Sequence, residues 1–229
     1  HCVTRRQRQM CIRDRDLNPW DLGAAMMAPL AEGDLRHEDL LDILKDVLNF
    51  PLGLHEVEDN VYALELFHGP THAFKDVGAR FLSRVLRRVS DKRLTILVAT
   101  SGDTGSAVAQ GFLNVPNVDV VILYPQGRIS KIQEQQLTTA GANIKALEVE
   151  GAFDDCQAMV KAAFLDDALQ AVRPLTSANS INIARWMPQS IIDALRHPTR
   201  NGDAVGRRQR PLGLQRIVQE SRLDHGLTI

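Results

Sequence analysis

The sequence lacks several features that would each point to a particular class of protein. Its 229 residues include only three cysteines, Cys2, Cys11 and Cys156, which are too few and too widely spaced for a disulfide framework or a Cys-X-X-Cys metal site. It has no run of about 18 apolar residues, and therefore predicts no membrane span. These absences favour a cytoplasmic protein without a bound metal.

Lysine is missing from both ends of the chain. Residues 1–15 and 191–229 hold 12 of the 21 arginines and none of the six lysines, with net charges of +4 and +3. Residues 16–190 therefore carry −8, although the whole chain carries −1. Such an acidic middle argues against nucleic acid as a partner. The shift supports the hypothesis that 1–15 is a non-native leader and 191–229 an atypical, frameshifted tail.

What the sequence does contain, from Leu94 onward, is a regular alternation of two patterns. Three short apolar runs, LTILVAT, VDVVILYP and IKALEVEG, suit strands that are buried on both faces. Between and after them lie the helical patterns SAVAQGFLN, ISKIQEQQLTTAGA and DDCQAMVKAAFLDDALQAV. This alternation predicts an α/β fold with a mostly parallel sheet flanked by helices.

The earlier part of the chain is more mixed. Leucines at helical spacing predict a helix over 36–49, Val61–Phe67 is typical of a short strand, and an amphipathic helix is expected after Asp76. We therefore divide the chain into an N-terminal segment, 16–66, and an α/β catalytic region, 67–190.

Ligands of such sheets bind at the carboxyl ends of strands, close to helix N-termini, which here favours the turns after Phe67 and Thr100. The first turn leads to Lys75 at the start of a helix, where the helix dipole disfavours a cation. Such a lysine is either a neutral or covalently engaged amine, or an ordinary solvated side chain. The neighbouring His68 and His72 are either bases or phosphate ligands, or structural hydrogen-bonding residues.

The second turn, TSGDTGSA, ends a buried strand and opens a helix. Its backbone N–H groups and hydroxyls are suited to a carboxylate or phosphate, but a plain helix N-cap at Ser101 or Asp103 explains the same residues. A third polar segment, SANSINIARWMPQ, contains Arg185, which either binds an oxyanion or is a solvated residue of a capped helix.

Together these segments resemble the threonine synthases, pyridoxal-phosphate (PLP) enzymes of fold type II. The resemblance covers about Asp34 to Gln189, in the expected order. It is carried by LELFHGPTHAFKDVGARF, TILVATSGDTGSAVAQGF, VVILYPQGRISKIQEQQL, FDDCQAMVKAAF and SANSINIAR.

The resemblance implies a reaction and a set of site residues. The reaction is O-phospho-L-homoserine plus water giving L-threonine and phosphate, carried out by a monomer or homodimer. Lys75 would be the catalytic residue and would hold PLP covalently. The other cofactor-binding residues would be Ser101, Gly102, Asp103, Thr104 and Gly105, and the substrate-binding residues Thr100, Ser101, Thr104, Ser180, Asn182 and Arg185.

The resemblance also has a limit. Members of the family continue into a Gly/Asn-rich loop that cradles the cofactor phosphate, and residues 191–229 contain no such loop. We therefore expect a truncated fold that is weakly active or inactive. The alternatives are another fold type II enzyme, of the threonine/serine dehydratase or cysteine synthase type, and a catalytically dead fragment.

Overall fold

The computed structural model describes residues 18–59, 61–180 and 182–195. Helices and strands alternate through most of this range, as the sequence pattern predicts. In chain order the elements are α1 (Pro19–Ala31), α2 (His37–Val47), β1 (Gly53–Glu58), β2 (Val61–Glu65), α3 (Lys75–Val89), β3 (Leu94–Ala99), α4 (Asp103–Phe112), β4 (Val118–Pro125), α5 (Lys131–Thr138), β5 (Ile144–Val149), α6 (Phe153–Phe164), α7 (Asp167–Val172), β6 (Leu175–Thr176), a 3-10 helix (Ile183–Arg185) and α8 (Met187–Leu195).

A parallel sheet in the order β5-β4-β3-β6 forms the centre of the fold. In β3, Ile96 and Val98 point into the large core with the helices α1 to α4, whereas Leu97 and Ala99 point to a smaller core under α6. This burial on both faces explains why the strand is apolar without alternation. The predicted α/β class is confirmed.

The N-terminal part contains a hairpin that the sequence pattern does not predict in full. The expected strand Val61–Phe67 ends at Glu65. It pairs antiparallel with β1, a strand that the sequence pattern does not predict. The strand β1, GLHEVE, has few apolar residues and contains a bulge between Glu56 and Glu58, so it gives a weak strand signal.

The single helix expected from Asp154 to Val172 is wrong, because the chain forms two helices, α6 and α7. The side chain of Asp166 accepts a hydrogen bond from the backbone N–H of Leu169 (2.9 Å) and so begins a new helix. The apolar residues of this pattern do not all lie on one buried face of α6, because Cys156 is buried whereas Met159 is 51% exposed.

The hypothesis of a non-native leader concerns residues outside the described ranges, as does most of the proposed tail. The boundary placed after residue 190 lies within α8, where Ile191 and Ile192 are buried in the large core. Within the described ranges, no helix has the length and apolar character needed to cross a membrane.

Candidate active site

Lys75 is the first residue of α3 and is almost entirely buried, with 8% of its surface exposed. Its Nζ lies 3.7 Å from Oδ2 of Asp103, at the start of α4, and 4.6 Å from the centre of the Phe74 ring. A buried lysine is rare unless its charge is compensated or its amine has a function. The structure therefore excludes the solvated-lysine alternative.

The loop that precedes Lys75 is fastened by Asp76, whose role the sequence did not reveal. The carboxylate of Asp76 is buried and accepts hydrogen bonds from the N–H (2.8 Å) and the hydroxyl (2.6 Å) of Thr71. Gly69 lies so close that a Cβ there would be 2.5 Å from Oδ2 of Asp76. An acidic residue in the first turn also suits the helix dipole. These contacts fix the backbone that presents Lys75.

The two histidines of this loop make local contacts. Nε2 of His68 lies 2.7 Å from Oε2 of Glu65, and Nδ1 of His72 lies 3.1 Å from the carbonyl oxygen of Phe67. His72 also has a positive φ of 58°, which turns the loop. Both histidines therefore support the structural alternative.

In the turn after β3, the hydroxyl of Thr100 organises the loop from within. It accepts hydrogen bonds from the N–H groups of Gly102 (3.0 Å) and Gly105 (2.8 Å), and Thr100 is only 1% exposed. Neither Ser101 nor Asp103 caps α4, because the N-cap residue is Gly102 with φ 139° and no side-chain cap. Thr100 therefore lies beneath the loop, with its hydroxyl already engaged by loop N–H groups.

This arrangement leaves other N–H groups of the loop available. Within the described part of the chain, the N–H groups of Ser101, Asp103 and Thr104 have no hydrogen-bond partner. The N–H groups of Asp103 and Thr104 belong to the first turn of α4, where unsatisfied donors and the helix dipole favour an anion. This turn also contains the Asp103 carboxylate that contacts Lys75.

Arg185, in the 3-10 helix before α8, packs against the same helix as Lys75. Its Nη1 donates to the carbonyl oxygen of Ala178 (2.5 Å), while Nε is the one buried side-chain nitrogen or oxygen without a partner among the described residues. A Cβ on Gly78 would lie 2.8 Å from the Arg185 carbonyl oxygen. Burial lowers the pKa of Arg185 to about 10.

The two remaining predicted substrate ligands lie in the turn just before Arg185. The side chain of Asn182 caps the 3-10 helix by accepting from the N–H of Ala184 (3.0 Å), so the turn already uses it. The carbonyl oxygen of Ser180 accepts from the indole N–H of Trp186. The structure therefore brings Lys75 into contact with Asp103 of the loop 101–105. It places Arg185 against Gly78, which lies about one helical turn after Lys75 in α3.

A comparison of sequences gives an independent view of the chain. A family described as "Pyridoxal-phosphate dependent enzyme" matches residues 47–199. Threonine synthase from Haemophilus influenzae is 50% identical over 165 residues, and that from Escherichia coli 48% identical over 167 residues. Each match covers 72% of this chain but only 39% of the relative, so the chain spans about two fifths of the length of these relatives.

Solved structures give the same result. The crystal structure of threonine synthase from Escherichia coli matches with a TM-score of 0.74 at 45% identity, over 78% of this chain and 42% of that one. A PLP-bound threonine synthase from Brucella melitensis matches with a TM-score of 0.74 at 37% identity, over 82% of this chain and 44% of that one.

Proposed function

Because the chain belongs to the pyridoxal-phosphate dependent enzyme family, we propose that it is the lysine-bearing part of a threonine synthase. The reaction is the conversion of O-phospho-L-homoserine and water to L-threonine and phosphate. The alternative of a dehydratase or cysteine synthase is not favoured, since the similar proteins at 37–50% identity described above are threonine synthases.

One observation carries the proposal: the amine of a buried lysine, Lys75, lies 3.7 Å from the carboxylate of Asp103, the first residue of a helix in which the N–H groups of Asp103 and Thr104 have no partner among the described residues. These residues fit PLP, because its aldehyde requires an amine, which Lys75 supplies, and a loop with unpaired N–H groups beside that amine suits the carboxylate of a substrate attached to the cofactor. Lys75 and the loop from Ser101 to Gly105 would hold the cofactor. When bound, PLP supplies an electron sink for the electrons of a broken substrate C–H bond.

The groups near the Lys75 amine suggest how protons are moved and how the substrate carboxylate and phosphate are bound. The Lys75 amine, once free, is placed to move protons at the α and β carbons of the substrate. The N–H groups of Asp103 and Thr104 bind the substrate carboxylate, with the Ser101 hydroxyl beside them. Arg185 and Ser180 bind the substrate phosphate, whereas Asn182 contributes by holding the turn that presents Arg185.

The proposal can be tested by locating the lysine that reacts with the cofactor. The chain is mixed with PLP, treated with borohydride to fix the cofactor, digested and examined by mass spectrometry. Lys75 should be labelled in preference to the exposed Lys92 and Lys131, and Lys75→Ala should abolish this label while the matched control Lys131→Ala retains it. Labelling spread evenly over the lysines would refute the assignment.

The substrate class needs a separate measurement. Phosphate release from O-phospho-L-homoserine, with L-threonine formed in equal amount, supports a threonine synthase. Release of ammonia from L-serine or L-threonine would instead support a dehydratase.

A further inference from the structure

We propose that Gln133 is a positioning residue that holds the carboxylate of Asp103 against Lys75. Its relevance to catalysis rests on the proposed function of Lys75, but its test below does not require the cofactor. The side-chain amide of Gln133 makes a different contact at each end.

The amide of Gln133 joins the start of α5 to the start of α4. Its Oε1 accepts from the N–H of Ser130 (3.0 Å), and its Nε2 donates to Oδ1 of Asp103 (2.7 Å). In addition, the backbone N–H of Gln133 donates to the Ser130 hydroxyl (3.2 Å), which completes a capping box. Since one end of the amide faces a donor and the other a carboxylate, only this orientation satisfies both partners.

The backbone under Gln133 is shaped to admit it. Gly102 has φ 139°, and a Cβ at this position would collide with the amide of Gln133. Any other residue at position 102 would therefore be strained in its backbone and would displace Gln133 from Asp103. Gly102 therefore permits a close contact with Gln133 as well as a tight turn.

Asp103 needs such support because burial does not fix its side chain. The side chain of Asp103 is 50% exposed, whereas that of Lys75 is 10% exposed. Its Oδ1 is bound by Gln133 and its Oδ2 lies 3.7 Å from Nζ of Lys75, so the two contacts together set the plane of the carboxylate. Gln133 thus acts on Lys75 through Asp103.

Two substitutions separate this role from the stability of α5. Gln133→Glu preserves the capping box, because a Glu carboxylate also accepts from the Ser130 N–H, but it removes the donor to Asp103 and adds a like charge beside it. The matched control Ser130→Ala weakens the cap and leaves the bond from Gln133 to Asp103 in place. Gln133→Ala serves as a second variant if Gln133→Glu does not fold.

The measurement is the rate at which Lys75 of the cofactor-free chain is acetylated by a trace of acetic anhydride, relative to the exposed Lys92, which lies outside the capping box. An amine released from Asp103 is freer to react, so Gln133→Ala and Asp103→Asn should each raise this rate, and Gln133→Glu should raise it less because its carboxylate adds a negative charge near the amine. We expect roughly a three- to tenfold rise, the range that corresponds to one hydrogen bond at a half-exposed carboxylate. Ser130→Ala should leave the rate unchanged.

A double variant tests whether Gln133 acts through Asp103. In an Asp103→Asn background, Gln133→Ala should add no further increase, because the carboxylate that it positions is already gone. An equal increase in both backgrounds, or no increase in either, would overturn the inference. Failure of PLP to label Lys75 would refute the proposed function alone and would leave this comparison intact.

Discussion

Replacement of Arg185 by methionine should stabilise the cofactor-free chain. Burial lowers the pKa of Arg185 from its ordinary value to about 10, and each pKa unit corresponds to about 1.36 kcal/mol. Keeping this guanidinium charged in the folded state therefore costs about 3 kcal/mol at neutral pH. Because the folded-state pKa lies below the unfolded one, the full cost applies below about pH 10 and falls as the pH rises above 10 toward the ordinary pKa of arginine.

The loss of one hydrogen bond opposes this gain. Arg185→Met removes the hydrogen bond to the carbonyl oxygen of Ala178, and an unsatisfied buried acceptor costs about 1–2 kcal/mol. Methionine is flexible and fills most of the space of the arginine stem, so a large cavity cost is not expected. The net effect should be a stabilisation of about 1–2 kcal/mol, measured by urea unfolding at pH 7. A destabilisation of about 2 kcal/mol or more would show that the buried charge is compensated.

The same variant tests whether Arg185 binds phosphate. A phosphate on Arg185 would stabilise the folded chain, by about 1.4 kcal/mol at ten times the dissociation constant. Arg185→Met should lose this stabilisation, whereas Arg87→Met, which removes an exposed arginine, should retain it. Chloride at equal ionic strength corrects for general salt effects, and Arg87→Met corrects for the non-specific strengthening of burial by phosphate. If Arg185→Met still gains the full stabilisation, the proposed phosphate site is wrong.

Two further substitutions test the packing around the site, and an alkylation reaction tests the packing of the smaller core. Gly78→Ala should destabilise the chain by about 1–3 kcal/mol in thermal unfolding, since its Cβ meets backbone at 2.8 Å although alanine favours a helix. Thr100→Val should cost about 2–4 kcal/mol in urea, because two loop N–H groups lose their acceptor, and it should speed hydrogen exchange in the loop. Cys156 is fully buried and burial raises the pKa of its thiol, so peptide mapping should find it alkylated only when the chain unfolds.

The sheet could be predicted from the sequence because its strands leave a local signal. The runs that become β3, β4 and β5 are apolar and bounded by turns, and their observed limits differ from the prediction by two residues at most. The strand order could not be predicted, since β6 has only two residues and pairs with β3 from about 80 positions away. Pairing at such a distance depends on tertiary packing and leaves no periodic pattern.

The candidate site divides in the same way. Lys75 and the loop 101–105 could be found because a lysine at a helix start and glycines after a buried strand are local patterns. The bond between Gln133 and Asp103 joins residues 30 positions apart, and no local pattern indicates it. The resemblance alone implies Thr100 as a substrate ligand, and only the structure shows that the N–H groups of two glycines use its hydroxyl.

The position of the Lys75 amine is set mainly by backbone contacts of α3. The first nine residues of this helix, 75–83, are all buried, so its N-terminal half has no solvent face and only the second half is amphipathic. Gly78 admits the Arg185 backbone on one side, and Gly111 of α4 admits the Ala79 backbone, whose carbonyl carbon would lie 3.1 Å from an added Cβ. Backbone contacts of this kind leave little room for the helix to shift. The remaining freedom of the amine lies in the lysine side chain, which makes its contact with the half-exposed Asp103 the point where a single substitution can alter its reactivity without disturbing the fold.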